Sequence, residues 1–295
     1  MRRMVMRRAF SPLSLVLLIV VAALACAPTF GAAQAPAKAA GPYRILVAND
    51  DGVRAPGLLA VAQALQALGE VTIVAPAENQ SGKGHSITIA EPIFRDDIVL
   101  AGGLRATSLT ATPASTMKVA LANIMTSKPD LVVSGINRGS NLGLAAYLSG
   151  TAGAAREAAS QGIPAIAASL SMPATDYSAA AEVTLRIARH VIENGLTPGV
   201  FLNVNIPTGT SQTLKGLMIT SQSMSGGGIE SFAEQKHPSG RTMYWNVYKE
   251  GGTDVQGTDM WAVREGYVAI TPLKVGEYDA QSAAKLKALR APARR

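Results

Sequence analysis

The chain has a single cysteine, Cys26, and three histidines, His85, His190 and His237, among 295 residues. Cys26 lies in what reads as a leader, so the mature chain has neither a disulfide frame nor a thiol nucleophile. Three scattered histidines without a cysteine argue against a zinc centre built from His and Cys. Aromatic residues make up 5% of the chain, and no basic stripe interleaved with aromatics occurs, which argues against a nucleic-acid polymer as partner. The apolar run from Leu13 to Ala25 is about 13 residues, short of the roughly 20 that a spanning helix needs, so no stable membrane span is expected. No G-x-G-x-x-G turn follows the first strand pattern, which leaves a dinucleotide-binding role without support.

The N-terminus has the layout of an export signal. Arg2, Arg3, Arg7 and Arg8 precede the apolar run, and small residues follow it. The reading is a signal peptide at 1–35, a linker at 36–42, and export to the periplasm as a soluble protein. Arg7-Arg8-Ala9-Phe10 also resembles a twin-arginine signal, and Ala23-Leu24-Ala25-Cys26 faintly resembles a lipoprotein cleavage box. Removing the four leader arginines from the 27 basic residues leaves 23 against 20 acids, a net charge of +3 in place of +7.

What remains is enough for one large α/β domain over 43–275, followed by a basic tail at 276–295. Apolar strands are expected at Arg44–Ala48, Val71–Ala75, Asp130–Gly135, Ile163–Ser169 and Phe201–Ile206. Helical patterns lie between them at Pro56–Leu68, Ser115–Met125, Thr151–Gln161 and Tyr177–Glu193. That alternation predicts an α/β Rossmann-like three-layer sandwich with a mostly parallel sheet. Beyond about residue 208 the pattern changes. The Gly226–Gly228 run and the strand patterns at Thr242–Tyr248 and Gly266–Thr271 suggest a projecting C-terminal β extension over about 225–272. Such a segment often pairs with a second subunit.

The first strand runs directly into Asn49-Asp50-Asp51-Gly52. Adjacent carboxylates at the carboxyl end of a parallel strand repel one another unless a cation sits between them. They therefore point to a hard divalent cation with oxygen ligands, serving a phosphate-bearing substrate. The alternative is that Asp50 caps the following helix and Asp51 faces water. Three further polar clusters fall where they can converge on the acids: Asn79–Ser86, Ser134–Asn141 and Ser149-Gly150-Thr151. Each has a plainer reading as turns or caps.

The residues around these clusters form an ordered set. It comprises Asn49–Gly52 with Ala55-Pro56-Gly57, Gln80-Ser81-Gly82, Thr112-Pro113-Ala114, Asp130–Asn141, Ser149–Thr151, Gly257-Thr258-Asp259 and Glu265–Leu273. Together they resemble the SurE family of metal-dependent 5′/3′-nucleotidases. The resemblance implies that Asp50, Asp51, Ser81 and Asn137 hold the metal, with Asp50 and Asp51 catalytic, and that Asn141, Ser149, Gly150 and Thr151 bind the substrate phosphate. Two carboxylates with two neutral oxygens suit Mg²⁺ or Mn²⁺. The implied activity is hydrolysis of nucleoside 5′- and 3′-monophosphates by water, and the implied assembly is a homodimer or tetramer. The adjacent acids lack the Asp-x-Asp-Gly-Thr layout of aspartyl-phosphate enzymes, which favours direct attack by water. The rival readings are a broad phosphatase or exopolyphosphatase, and a non-catalytic periplasmic nucleotide-binding protein. Two departures bear on the substrate side. Ser115 stands where the family usually has an acid, and Leu144-Ala145-Ala146-Tyr147-Leu148 carries no acid where acids are common, with its tyrosine one position early. His85 is read either as a general acid for the leaving oxygen or as a surface histidine.

Overall fold

A computed structural model describes residues 41–224, 228–249 and 255–289. The expected leader with Cys26, most of the linker, Gly226 and Gly227, and the end of the tail lie outside these residues. Strands β1 (Tyr43–Ala48), β2 (Gly69–Pro76), β4 (Arg105–Leu109), β5 (Leu131–Arg138), β6 (Ala165–Leu170) and β7 (Val200–Ile206) form the parallel part of a nine-stranded sheet. Its order is β3-β4-β2-β1-β5-β6-β7-β11-β8, with β3 (Arg95–Val99) and β11 (Val268–Lys274) antiparallel to their neighbours β4 and β7. Strand β8 (Leu217–Ile219) runs parallel to β11 at the far edge.

Alternate residues of each central strand face opposite layers, as a pleated strand requires. Ile45 and Val47 of β1 face helices α1 (Pro56–Leu65) and α4 (Ser178–Asn194), in one core with Leu58, Val61, Leu65, Ile187 and Val191. Leu46 and Ala48 face α2 (Pro113–Val119) and α3 (Gly150–Ser160), in the other core with Met117, Ala155, Ala158 and Phe201. Helix α1 forms because Pro56 fixes the first turn and Leu58, Val61, Ala62 and Leu65 recur at helical spacing. Helix α3 is rich in alanine because it is covered on more than one side: every residue from Gly150 to Ala159 is buried.

The expected sandwich is present, with a narrower β extension. β9 (Gly228–Lys236) and β10 (Thr242–Lys249) pair antiparallel as a separate two-stranded sheet. The strand expected at Gly266–Thr271 is β11 of the central sheet. After the short helix α5 (Asp259–Arg264) the chain returns to pair with β7, because Val268 and Ile270 complete the buried face that Leu202 and Val204 begin. Short α6 (Ala280–Lys285) follows.

Three other expectations shift. Helix α1 stops at Leu65 rather than Leu68. The helix expected at Ser115–Met125 starts at Pro113, with Thr112 as its N-cap, and continues as a π-turn over Ala120–Ile124. β5 continues through Asn137 to Arg138. β1 pairs with β2 on one side and β5 on the other, so the chain reverses its direction of strand addition at β1. A crevice opens outside the strand ends at such a point.

Candidate active site

Asp50 and Asp51 leave β1 at this switch point. Asp50 is 2% exposed, and its Oδ1 accepts a 2.5 Å hydrogen bond from the Thr151 hydroxyl. Asp51 Oδ2 accepts from the Arg138 amide at 2.8 Å, and its Oδ1 from the Asn79 side chain at 3.3 Å. The plainer reading of the pair is therefore not what the fold builds. Helix α1 has no side-chain cap, Asp50 meets α3 instead, and Asp51 is hydrogen-bonded at the end of β5.

Burial pushes the Asp50 carboxyl up to about 6, with the Thr151 bond opposing and the charge of Asp51 adding to the rise. Burial also raises Asp51, partly offset by the Arg138 amide and charge. The nearby Tyr177 phenol is raised too, first by burial and then by the charge of Asp51. Neither acid forms a salt bridge among the described residues. Two adjacent acids pushed upward by burial and held in no salt bridge among the described residues fit a bound cation.

The other expected ligands approach from two neighbouring strands. The loop after β2 is tied to the acids, since the Gln80 amide donates to the Asp50 carbonyl at 2.7 Å and the Asn79 side chain bridges Asp51 and the Ser81 amide. Ser81 is exposed at the mouth of that loop. In β5 the pairing with β6 shifts register between Ser134 and Asn137, an irregularity of the kind that re-aims a side chain beside an active site. The Asn137 amide group donates to the Gly139 carbonyl at 2.7 Å, which fixes its orientation and leaves its oxygen as the open donor atom. No three His, Cys, Asp or Glu cluster as metal ligands among the described residues. A cation here would complete its shell with neutral oxygens, which suits a hard ion and fits the set Asp50, Asp51, Ser81 and Asn137.

Helix α3 points its N-terminus at the acids. Ser149 caps it, accepting from the Ala152 amide at 3.0 Å, so the plain capping role is present. Gly150 must be glycine here: a Cβ would lie 2.7 Å from Asp50 Cβ and 2.9 Å from its Oδ2. Thr151 turns both its hydroxyl and its amide to Asp50. Asn141 is brought to the same place, with its side chain donating to Ser169 Oγ at 2.9 Å and Thr151 Oγ1 at 3.4 Å.

Several contributors carried no expectation. Asn205 accepts from the Asn141 amide at 2.7 Å, and the side chains of Asn203 and Asn205 both donate to the Asn141 carbonyl. These buried asparagines on β7 hold Asn141 from behind. The readable signal was two amides alternating with Leu202, Val204 and Ile206 inside a buried strand.

His85 does not approach the acids through a bond of its own. Its Nε2 lies 3.0 Å from Glu157 Oε2, and Lys118 and Gln161 donate to Glu157 Oε1 at 2.7 and 3.0 Å. Burial alone would raise the Glu157 carboxyl; the bonds from His85, Lys118 and Gln161 outweigh it and hold the group down at about 2. This cluster clamps the Ser81 loop onto α3. Gly153 permits the contact, because a Cβ there would meet the Gly84 carbonyl at 2.1 Å.

Ser115, expected on the substrate side, is buried and accepts from the Thr88 amide at 2.7 Å, pinning the end of the same loop. A cleft of about 520 Å³ opens beside the loop, bounded by Glu78, Gln80, Lys83, Ile89, Thr110 and Thr112.

Comparison with known proteins agrees with this arrangement. The family model described as Survival protein SurE matches residues 45–227. The chain belongs to the SurE family. It is 45% identical over 236 residues to 5′-nucleotidase SurE 1 of Thermus thermophilus, covering 79% of this chain and 92% of that protein. It is 40% identical to 5′-nucleotidase SurE of Geotalea daltonii, covering 83% and 98%. The crystal structure of the SurE protein from Aquifex aeolicus superposes with a TM-score of 0.74 at 36% identity, covering 83% of this chain and 99% of that one. The SurE match runs from β1 through β8, and so includes all eight expected site residues.

Proposed function

We propose that this SurE-family chain is a metal-dependent phosphatase of nucleoside 5′- and 3′-monophosphates. One observation carries the reading: buried Asp50 and half-buried Asp51, in no salt bridge among the described residues, lie at the N-terminus of α3. The 5′-nucleotidase names of its relatives support the same activity. Asp50, Asp51, Ser81 and Asn137 would hold the cation, Mg²⁺ or Mn²⁺ by the chemistry of their oxygens. When bound, such a cation supplies Lewis-acid polarisation of a phosphoryl oxygen and lowers the pKa of water.

The chain's own residues do the rest. Ser149 fixes the first turn of α3, so that the Gly150 and Thr151 end meets the phosphate with the helix dipole favouring its charge. Asn141, held by Asn203 and Asn205, presents its amide group beside Thr151. The cleft by Lys83 and Thr112 gives the nucleoside a place to lie. Asp50 and Asp51, pushed up by burial, ionise more readily once a cation faces them, so cation and substrate charge are matched at the same carboxylates.

Two accompanying readings belong to the proposal. Export rests on the leader pattern at 1–35, with a periplasmic location favoured. No helix among the described residues is long and apolar enough to cross a membrane. Association as a homodimer or tetramer is supported by the β9–β10 hairpin, where Phe232, Tyr244, Trp245 and Tyr248 are exposed.

The test is phosphate release from a panel of nucleoside monophosphates by the leaderless protein, with Mn²⁺, with Mg²⁺ and with EDTA. Release that requires metal and collapses in Asp51→Asn supports the reading. Tight nucleotide binding without release under any metal would replace it with a binding protein. Faster release from tripolyphosphate than from any nucleotide would favour the exopolyphosphatase alternative.

A further inference from the structure

Arg156, in the second turn of α3, is a buried cation without an ion-pair partner among the described residues. The residue is 8% exposed, and its Nε is shielded from solvent with no hydrogen-bond partner. No carboxylate forms an ion pair with it among the described residues. Its guanidinium carbon lies 5.5 Å from the centre of the Tyr147 ring and 5.6 Å from that of Phe201. Such rings stabilise the charge but do not replace the N–H bonds that a desolvated guanidinium loses. Its acidic neighbour in sequence, Glu157, is committed to His85, Lys118 and Gln161.

The side chain borders a cavity of about 380 Å³, whose other walls include Tyr147, Gln222, Leu273, Lys274 and Glu277. None of these is among the acid-pair site residues. Two cations against one acid make the cavity positive, and a fork of N–H donors suits a planar or tetrahedral oxyanion. We propose that this cavity is a second oxyanion subsite, taking a phosphate-class anion between Arg156 and Lys274.

The cavity also touches the segment that leads to the phosphate-facing end of α3. Tyr147 precedes the Ser149 cap by two residues, and the Gln222 side chain donates to the Gly143 carbonyl at 2.8 Å. An anion held against Arg156 and Gln222 would brace residues 143–149 through Tyr147 and the Gln222–Gly143 bond. Two sources share this chemistry: the free phosphate ion, and the outer phosphates of a longer substrate. Neither depends on whether the chain hydrolyses nucleotides.

The test is calorimetric titration of the leaderless protein in EDTA, where the acid pair, lacking its cation, repels anions. Inorganic phosphate and tripolyphosphate are the two probes. Arg156→Met should weaken anion binding by about tenfold or more, and Arg156→Lys by nearly as much, because the fork is lost. Lys274→Gln, an exposed change, should weaken it about threefold, and Glu277→Gln should tighten it about threefold, since one removes a cation and the other an anion from the same cavity. Binding of phosphate itself assigns the subsite to the free ion. Binding of tripolyphosphate alone, lost in Arg156→Met, assigns it to a longer ligand. Should Arg156→Met fail to fold, the opposed Lys274→Gln and Glu277→Gln shifts decide. No binding by the unaltered protein, or equal binding by all variants, overturns the proposal.

Discussion

Helix α3 meets carboxylates at two places, and they are treated in opposite ways. At its N-terminus Asp50 and Asp51 receive hydrogen bonds but no salt bridge, and burial pushes both upward, Asp50 to about 6. About two turns further on, Glu157 is surrounded by Lys118, His85 and Gln161 and held down at about 2. Both regions are needed to shape the same loop, which carries Ser81 at one end and His85 near the other. Glu157 is complete within the chain and therefore structural. The acid pair is incomplete within the chain and needs something from outside it.

Substitutions separate the open acid pair from the closed Glu157 cluster. Asp50→Asn, which keeps the shape and removes the charge, should lower kcat by about a thousandfold or more, since the cation loses half its anionic ligands. Steady-state phosphate release with saturating Mn²⁺ measures it. Gly150→Ala should cost about a hundredfold in kcat, because the new methyl group meets Asp50 at 2.7 Å and shifts the helix end by a fraction of an ångström. A KM change with kcat intact would instead place Gly150 outside the chemistry.

Glu157→Gln should act on the fold. A loss of about 1–3 kcal/mol by urea denaturation is expected, with kcat held within about threefold. A large fall in kcat at unchanged stability would make the His85–Glu157 pair part of the reaction.

Acidity separates the two regions by sign. Glu157 has a lowered carboxyl, so its stabilising contribution is present above its unfolded value of 4.5 and fades as pH falls towards about 2. Asp50 has a raised carboxyl, so the metal-free fold binds an extra proton between 3.8 and about 6 and loses stability as pH rises through that window. Denaturant midpoints of the metal-free protein from pH 3 to 7 check both. Asp50→Asn should remove the fall on the neutral side, and Glu157→Gln the rise on the acid side.

How far these regions could be read from the sequence follows from what each one is made of. The Asp50-Asp51 pair stood out because an apolar strand ends in it, and β1, β6, β7, α3 and α4 are apolar enough to be found by pattern. β3 (Arg95-Asp96-Asp97-Ile98-Val99) and β4 (Arg105-Ala106-Thr107-Ser108-Leu109) were missed, since polar residues at the sheet edge give little hydrophobic signal. β11 was assigned to the wrong sheet because its partner β7 lies more than sixty residues back, and local pattern does not encode which strand it joins. Within the site, Asp50, Thr151 and Asn141 could be named, but not the acceptor at Ser169 or the buried amides of Asn203 and Asn205, which touch Asn141 only through the fold. Nothing in the sequence around Glu157 marks it, because its partners His85 and Lys118 come from two other segments.

The most direct measurement is Mn²⁺ binding by the leaderless protein, followed by electron paramagnetic resonance at neutral pH. The account predicts saturable binding at one site per chain by the unaltered protein and by Glu157→Gln, and its loss in Asp51→Asn. Equal binding by Asp51→Asn, or loss in Glu157→Gln with the fold intact, would contradict the assignment of the acid pair as the site left open for a cation.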